Sequence, residues 1–258
     1  MLLAVDIGNT QTVLGLFEGA QIREVWRIAT TTDRTPDEVA VLVDDLFRMR
    51  GLNGTDVDAV IVASVAPSMT AAFDPVARTF TGAPALSVGP GLKTGLVIDM
   101  DNPHEVGADR IANAVAAKEL YGAPAVVVDF GTATNIDVVS QAGSYIGGVI
   151  SPGLETSATA LFSRAARLSA IDLDFPASPL GRNTRAAVQS GLMFGEAAKV
   201  DGLVRAIWGE LGYETPVIAT GGLAQTIAPK CQTVTATDPD LTIRGLYLIA
   251  ETHRRAKR

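Results

Sequence analysis

The sequence predicts an α/β protein built from two similar domains. In residues 2–17 an apolar run ends in a carboxylate, a glycine and small polar residues, and a second alternating run follows. Residues 126–139 repeat this plan, with Asp129 in the place of Asp6 and a glycine two residues later in both copies. Because a strand–turn–strand unit that recurs about half a chain apart indicates related domains, we expect two domains that face each other across a nucleotide cleft.

The turn after the first strand has chemistry that suits a phosphate group. Gly8 lacks a Cβ, so a ligand can approach its backbone closely. Asn9, Thr10 and Thr12 can donate hydrogen bonds to phosphate oxygens, and Asp6 can reach a metal ion or its water shell. A solvated hairpin turn is the alternative for this stretch taken alone.

Length and composition agree with this fold and argue against several classes of function. The 258 residues suffice for two compact domains, and a hydrophobic fraction of 47% supports their cores. We find no apolar run of roughly 18 residues that would span a membrane, and no basic, apolar leader. The net charge of −7 argues against a nucleic-acid partner, and the single cysteine, Cys231, indicates a cytoplasmic protein.

The remaining segments of the first half alternate between helices and strands. Thr35 and Pro36 predict a helix start, because a capping threonine and a proline at the first helical position precede acidic residues. That helix ends near Met49. The further expected elements are a strand at 57–64, a helix at 69–80 and a strand at 85–88.

Residues 122–124 (Gly-Ala-Pro) mark the expected boundary between an N-terminal domain of residues 1–121 and a C-terminal domain of residues 122–258. After its three strands, the second domain should contain a long proline-free helix from Arg185 to Leu211, with Asn183 or Thr184 as its cap. A strand, a glycine-rich turn and a final helix complete it.

Residues 107–110 (Gly-Ala-Asp-Arg) lie at the predicted N-terminus of a helix, since apolar periodicity begins at Ile111. Free backbone N–H groups and the helix dipole favour an anionic ligand there. Asp109 is either a helix-terminus acid or a base that faces a substrate. Arg110 either pairs with a substrate carboxylate or forms a surface ion pair.

Together these segments resemble the actin-like ATPase and sugar kinase superfamily, whose domains are ribonuclease H-like. Within it, the chain resembles type III pantothenate kinases nearly from end to end. The segments that carry this closer resemblance are Asp6–Thr10, Ala63–Pro67, Gly107–Arg110, Asp129–Thr134, Gly147–Gly153 and Thr220–Gly222. The chain departs from the family pattern at Asn135, where Thr is more frequent, and lacks a tyrosine in the loop before Gly107.

The resemblance implies two actin-like domains, each a mixed sheet flanked by helices, with the nucleotide cleft between them. It also implies a kinase that transfers the γ-phosphoryl group of ATP to the primary hydroxyl of pantothenate, which gives 4′-phosphopantothenate in the first step of coenzyme A biosynthesis. The implied cofactors are Mg²⁺ and a monovalent cation, K⁺ or NH₄⁺. The implied assembly is a homodimer with a shared active site.

Carried over by motif, the resemblance also implies roles for single residues. Asp109 is the catalytic base, Asp129 binds the monovalent cation, and Thr132 contacts ATP. The phosphate-binding loop consists of Asp6, Ile7, Gly8, Asn9, Thr10, Gln11, Thr12 and Val13, with Asp6 near Mg²⁺ through water. Pantothenate is held by Gly107, Ala108, Asp109, Arg110 and, in the partner subunit's pocket, Thr184.

Three alternatives remain open at this point. A kinase for a sugar or short acid would need inserted subdomains and a longer chain. A filament or chaperone ATPase would need larger subdomains and a partner-binding appendage. A non-catalytic, nucleotide-binding regulatory homologue is the alternative from a different functional class, and the presence of Asp6, Asp109, Arg110 and Asp129 argues against it.

Overall fold

The computed structural model describes residues 1–65, 67–164 and 171–257, and by its internal contacts the chain divides into two compact units. The first unit comprises Met1–Glu119 together with Leu241–Arg258, and the second comprises Leu120–Asp240. The division expected from the sequence placed the boundary two residues later, between residues 121 and 122, and assigned the last helix to the second domain.

The first unit begins with three strands and then alternates helices and strands. Its elements up to residue 119 are β1 (Leu2–Ile7), β2 (Gln11–Glu18), β3 (Gln21–Ala29), α1 (Pro36–Arg48), β4 (Ala59–Ser64), α2 (Pro67–Thr81), β5 (Leu86–Ser87), β6 (Val97–Ile98) and α3 (Ala108–Ala116). A π-helical turn at Ala117–Tyr121 continues α3.

The second unit and the end of the chain follow. The elements are β7 (Ala125–Phe130), β8 (Ala133–Val139), β9 (Ser144–Pro152), α4 (Leu154–Arg164), α5 (Thr184–Leu211), β10 (Val217–Thr220), α6 (Ala224–Ile227), β11 (Ala236–Thr237) and, back in the first unit, α7 (Leu241–Ala256). Within the described part of the chain, no helix is both long and apolar enough to cross a membrane.

The two units repeat one sheet plan. In the first, the strand order is β3-β2-β1-β4-β5, with β1 antiparallel to β2 and parallel to β4. In the second, β9-β8-β7-β10-β11 follow in the same order, with β7 antiparallel to β8 and parallel to β10. This confirms the predicted fold class of two similar α/β domains with mixed sheets.

Helix α7 belongs to the first unit because its inner side packs there. The Thr242 hydroxyl donates to Asn113 Oδ1 of α3 at 2.8 Å, and Gly245 lies directly against the carbonyl of Ala112. The Tyr247 ring stacks on Phe17 of β2 with 4.8 Å between ring centroids. These are contacts between residues far apart in the sequence, and local periodicity does not report them.

Residues near the ends of α1 and α5 cap these helices as the sequence predicts. Thr35 caps α1 in a capping box, since its side chain accepts from the Glu38 N–H while the Glu38 carboxylate accepts from the Thr35 N–H at 2.7 Å. Asn183 caps α5 by accepting from the Ala186 N–H at 2.9 Å. Gly212 ends α5 with φ +77°, a left-handed conformation that glycine adopts without strain.

Candidate active site

The first turn, residues 8–10 between β1 and β2, is a tight backbone loop. The Gly8 N–H donates to the Gln11 carbonyl at 3.0 Å, and a Cβ on Gly8 would lie 2.9 Å from that same oxygen. The Thr30 N–H donates to the Thr10 carbonyl at 3.0 Å, which ties the turn to the end of β3. Asn9, Thr10 and Gln11 are therefore held in place with exposed side chains.

The other residues of the predicted phosphate-binding loop are buried or partly exposed in the strands on either side of the turn. Ile7 is fully buried, and the buried Thr12 hydroxyl lies 2.8 Å from Thr30 Oγ1. Thr12 therefore uses its side chain within the protein. Asp6, near the end of β1, and Val13, in β2, are partly exposed.

The second turn, residues 131–132 between β7 and β8, is one residue shorter than the first. The Gly131 N–H donates to the Ala133 carbonyl at 3.0 Å. The Thr132 carbonyl accepts from the Gly153 N–H at 3.1 Å and from the Thr156 hydroxyl at 2.6 Å, while the Thr132 side chain is exposed. A Cβ on Gly153 would lie 2.7 Å from that carbonyl, so a glycine is required there.

A buried polar network supports the second turn from helix α5. Glu196 is only 5% exposed, and it accepts from the Thr134 hydroxyl at 2.6 Å and from Lys199 Nζ at 2.8 Å. Lys199 Nζ also donates to the Pro152 carbonyl at 2.8 Å. Sequence reasoning missed Glu196 and Lys199, although a charged residue between the core positions Met193 and Ala197 was a visible signal.

Asp129 lies in a row of three polar side chains at the ends of neighbouring strands. Its register partners are Asn135 on β8 and Thr220 on β10. Thr220 is fully buried, and neither Thr220 Oγ1 nor the buried Asn135 Oδ1 has a hydrogen-bond partner within residues 1–65, 67–164 and 171–257. Gly221, with φ +92°, lies against the Asp129 carboxylate, where a Cβ would also meet Phe130 N at 2.7 Å.

The start of helix α3 presents an uncompensated carboxylate oxygen. Asp109 Oδ1 is buried, and no hydrogen-bond partner for it exists in the described part of the chain. The N-cap residue is Gly107, so no side chain caps the first-turn N–H groups. A Cβ on Gly107 would lie 2.5 Å from Asp109 Oδ1, which shows that this side chain folds back over the glycine. Arg110 is partly exposed beside it.

Thr184 occupies the first helical position of α5 and is exposed. Because Asn183 is the cap, Thr184 has no capping role. The predicted site residues thus form three groups: residues 6–13 and residues 107–110 in the first unit, and Asp129 with Thr132 at the second turn. Thr184 lies apart from these groups in the sequence.

Comparison with known sequences decides the family. The sequence pattern of type III pantothenate kinases matches residues 2–206. A type III pantothenate kinase of Moorella thermoacetica is 43% identical over 251 residues, which is 97% of this chain and 99% of that protein. The chain belongs to the type III pantothenate kinase family.

Solved structures extend the likeness to the actin-like fold. A conserved putative Baf family transcriptional activator from Campylobacter jejuni aligns with TM-score 0.64 and 18% identity, over 98% of this chain and 99% of that one. The (R)-2-hydroxyglutaryl-CoA dehydratase component A of Acidaminococcus fermentans aligns with TM-score 0.60 and 15% identity, over 100% of this chain and 99% of that one. A ROK hexokinase from Thermus thermophilus aligns with TM-score 0.54 and 14% identity, over 99% of each chain. At these identities the likeness concerns the fold alone.

Proposed function

We propose that this type III pantothenate kinase uses Asp109 as the base that accepts the proton of the pantothenate primary hydroxyl. The observation that carries the proposal is Asp109 Oδ1, a buried carboxylate oxygen at the start of α3 without a partner among the described residues. A buried unpaired acceptor costs stability, so a hydroxyl that donates to it would bind favourably. General bases act within such hydrogen-bond reach of the proton they remove.

In the proposed reaction one P–O bond forms, one P–O bond breaks and one proton is transferred. The hydroxyl oxygen of pantothenate forms a bond to the γ-phosphorus of ATP, the bond from that phosphorus to the β-bridging oxygen breaks, and ADP leaves. The hydroxyl proton passes to Asp109 as the loose transition state forms, which leaves 4′-phosphopantothenate. The work of the protein is therefore positioning and charge neutralisation.

Pantothenate carries a carboxylate, and the start of α3 suits an anion. Its first-turn N–H groups lack a side-chain cap, and the Arg110 guanidinium can bind a carboxylate with two parallel hydrogen bonds. Gly107 and Ala108 supply backbone at this helix start, so residues 107–110 are the proposed pantothenate contacts.

We propose that Thr184 completes the pantothenate pocket of a partner subunit in a homodimer. Thr184 is exposed, and a Cβ on Gly191 or Gly195 of the same helix would meet nothing within 4 Å. The opposite side of α5 packs on its own sheet through Met193 and Val200. An exposed side of small residues permits close approach of a second helix, and two-fold dimers are the commonest oligomers.

ATP is the proposed phosphoryl donor at residues 6–13 and Thr132. The first turn offers backbone N–H groups and the exposed Asn9 and Thr10 side chains, which suit phosphate oxygens. No group of three or more His, Cys, Asp or Glu side chains that could hold a metal ion lies in the described residues. A single carboxylate, Asp6, is still sufficient for Mg²⁺, because this ion keeps several waters and binds the nucleotide phosphates. When bound, Mg²⁺ neutralises charge on those phosphates.

Asp129 is the proposed ligand of a monovalent cation, K⁺ or NH₄⁺. Its neighbours fit this assignment, since oxygen atoms of Asn135 and Thr220 flank it without partners in the described chain. The cation would add positive charge beside the second turn.

With one partly buried cysteine, we also propose a cytoplasmic, reducing location for the enzyme.

A coupled assay of ADP release tests the activity directly. ADP formation should depend on pantothenate and yield 4′-phosphopantothenate in equal amount. ADP release that pantothenate does not accelerate would contradict the proposal and favour an ATPase. Nucleotide binding without turnover would favour the regulatory alternative.

A further inference from the structure

We propose that Thr220 and Asn135 are direct ligands of the monovalent cation at Asp129. This inference rests on the proposed cation role of Asp129, and it assigns two further residues to that site.

The three side chains can reach one ion. Thr220 pairs with Asp129 between the parallel strands β10 and β7, and Asn135 pairs with Asp129 between the antiparallel strands β7 and β8. Side chains of such register partners project from the same face of the sheet. Because neighbouring strands lie about 4.8 Å apart, an ion over Asp129 is within reach of oxygen atoms on both sides.

Two other buried hydroxyls of the second unit have hydrogen-bond partners, whereas the two flanking oxygens have none among the described residues. Thr134 donates to Glu196 at 2.6 Å, and the Thr233 hydroxyl donates to Asp201 at 2.8 Å. Thr220 is just as buried, yet its Oγ1 has no partner among the described residues, and the same holds for Asn135 Oδ1. Buried polar atoms without partners are rare, and two beside one carboxylate indicate that a ligand satisfies them.

The charge of this donor set selects the kind of ligand. Asp129 contributes one negative charge, whereas the Thr220 hydroxyl and the Asn135 amide oxygen are neutral acceptors. A site with a net charge of about −1 and a singly charged cation are together nearly neutral, which matters because excess charge is costly in a partly buried place. Mg²⁺ would instead keep a near-octahedral shell rich in water. All three groups can also accept hydrogen bonds, so NH₄⁺ fits as well as K⁺.

The test compares thermal stability in potassium and in choline. Wild-type protein, Thr220→Val and Asn135→Leu are titrated with KCl at constant ionic strength, with choline chloride as the balancing salt, and the unfolding midpoint Tm is measured. We expect K⁺ to raise the wild-type Tm. The K⁺ midpoint, which is the concentration that gives half of this increase, should be roughly 10–100-fold higher in each variant. In choline alone, each variant should be as stable as the wild type or more stable, because it lacks an unsatisfied buried oxygen.

Two kinds of control separate ligand loss from general damage. Thr220→Ser and Asn135→Thr keep a neutral oxygen and should retain a K⁺ response near the wild-type concentration. Thr233→Val removes a buried hydroxyl that has a partner, so its Tm should fall equally in both salts with an unchanged K⁺ midpoint. Should a variant not fold, Tl⁺ soaked into wild-type crystals locates the ion by anomalous scattering. Density in contact with both Asn135 Oδ1 and Thr220 Oγ1 supports the assignment.

The outcomes distinguish this inference from the assignment on which it rests. A wild-type Tm that is the same in potassium and choline would overturn the cation role of Asp129, and this inference with it. A wild-type response that both variants retain at unchanged K⁺ concentration would overturn only the two added ligands, as would Tl⁺ density remote from both. Lower Tm in choline for Thr220→Val, with an unchanged midpoint, would also overturn the Thr220 assignment, because water or a protein group would then satisfy the hydroxyl.

Discussion

Asp109→Asn provides the sharpest test of the proposed mechanism, because it should lower activity without lowering stability. The amide keeps the shape of the carboxylate but cannot accept a proton. Loss of a general base lowers turnover by about 10²–10⁴-fold, which corresponds to about 2.7–5.5 kcal/mol of activation free energy. The KM for ATP should change little, since the first turn has its own hydrogen bonds.

The effect on stability follows from the contacts of the same side chain. A buried oxygen left without a partner costs about 1–3 kcal/mol, and Asp109 Oδ1 is such an oxygen in the described chain. An acid in the first turn of a helix contributes only about 0.3–1 kcal/mol of stabilisation. The amide still leaves a polar atom without a partner at this place, but it removes the negative charge, and an unpaired charged group costs more to bury than a neutral one. Because this gain offsets the lost stabilisation of the helix start, Asp109→Asn should unfold at the same temperature as the wild type or at a higher one.

Steady-state kinetics with the coupled assay and a thermal melt on the same preparation measure both quantities. Asp101→Asn, an exposed acid in the preceding loop, is the matched control and should leave both unchanged. Wild-type turnover in Asp109→Asn, together with a slightly lowered Tm, would refute the reasoning. Asp109 would then be only a helix-terminus acid.

Three further predictions concern other parts of the chain. Replacing sodium by potassium or ammonium should raise wild-type activity, and Asp129→Ala should be slow in either salt; equal wild-type rates in the two salts would count against the cation site. Mixing inactive Asp109→Asn and Thr184→Arg subunits in equal amounts should restore up to about a quarter of wild-type activity, since half of the dimers are mixed and each has one intact site; subunit exchange shown by mass without recovered activity would rule out sharing through Thr184. Burial, reinforced by the negative charge of Asp201, raises the pKa of the Cys231 thiol to about 12. The native thiol should therefore react slowly with iodoacetamide at pH 8, and fast labelling of the native protein would contradict this. The stabilisation that the buried neutral thiol provides should be complete below about pH 9. It should be lost as the pH rises towards 12, because the thiol of the unfolded chain ionises first.

Features set by neighbouring residues in the sequence could be predicted. The hairpins at β1–β2 and β7–β8 follow from alternating apolar residues interrupted by glycine, and the repeat of Asp6 in Asp129 identified the second unit. The start of α1 follows from the capping box at Thr35, and Asn183 was one of two candidate caps for α5. In each case the determining contact spans only a few residues.

Features set by distant packing could not be predicted in this way. Helix α7 joins the first unit through Thr242, Gly245 and Tyr247, whose partners lie more than a hundred residues earlier in the chain. The role of Glu196 depends on Thr134, which is 62 residues away, although its charge at a core-facing position marked it as unusual. Local patterns identify the helix but not the group that its buried carboxylate binds.

Three buried oxygens without hydrogen-bond partners in the described chain relate the stability of this fold to ligand binding. Asp109 Oδ1, Asn135 Oδ1 and Thr220 Oγ1 all lack a hydrogen-bond partner in the described chain, and each lies where we propose that a substrate or an ion binds. Every such atom costs about 1–3 kcal/mol in the ligand-free protein, which is a large share of the stability of an ordinary domain. Part of the free energy of binding is therefore the relief of this cost. It follows that pantothenate and the monovalent cation should each stabilise the fold in addition to serving the reaction, because each supplies a partner that the described chain does not provide.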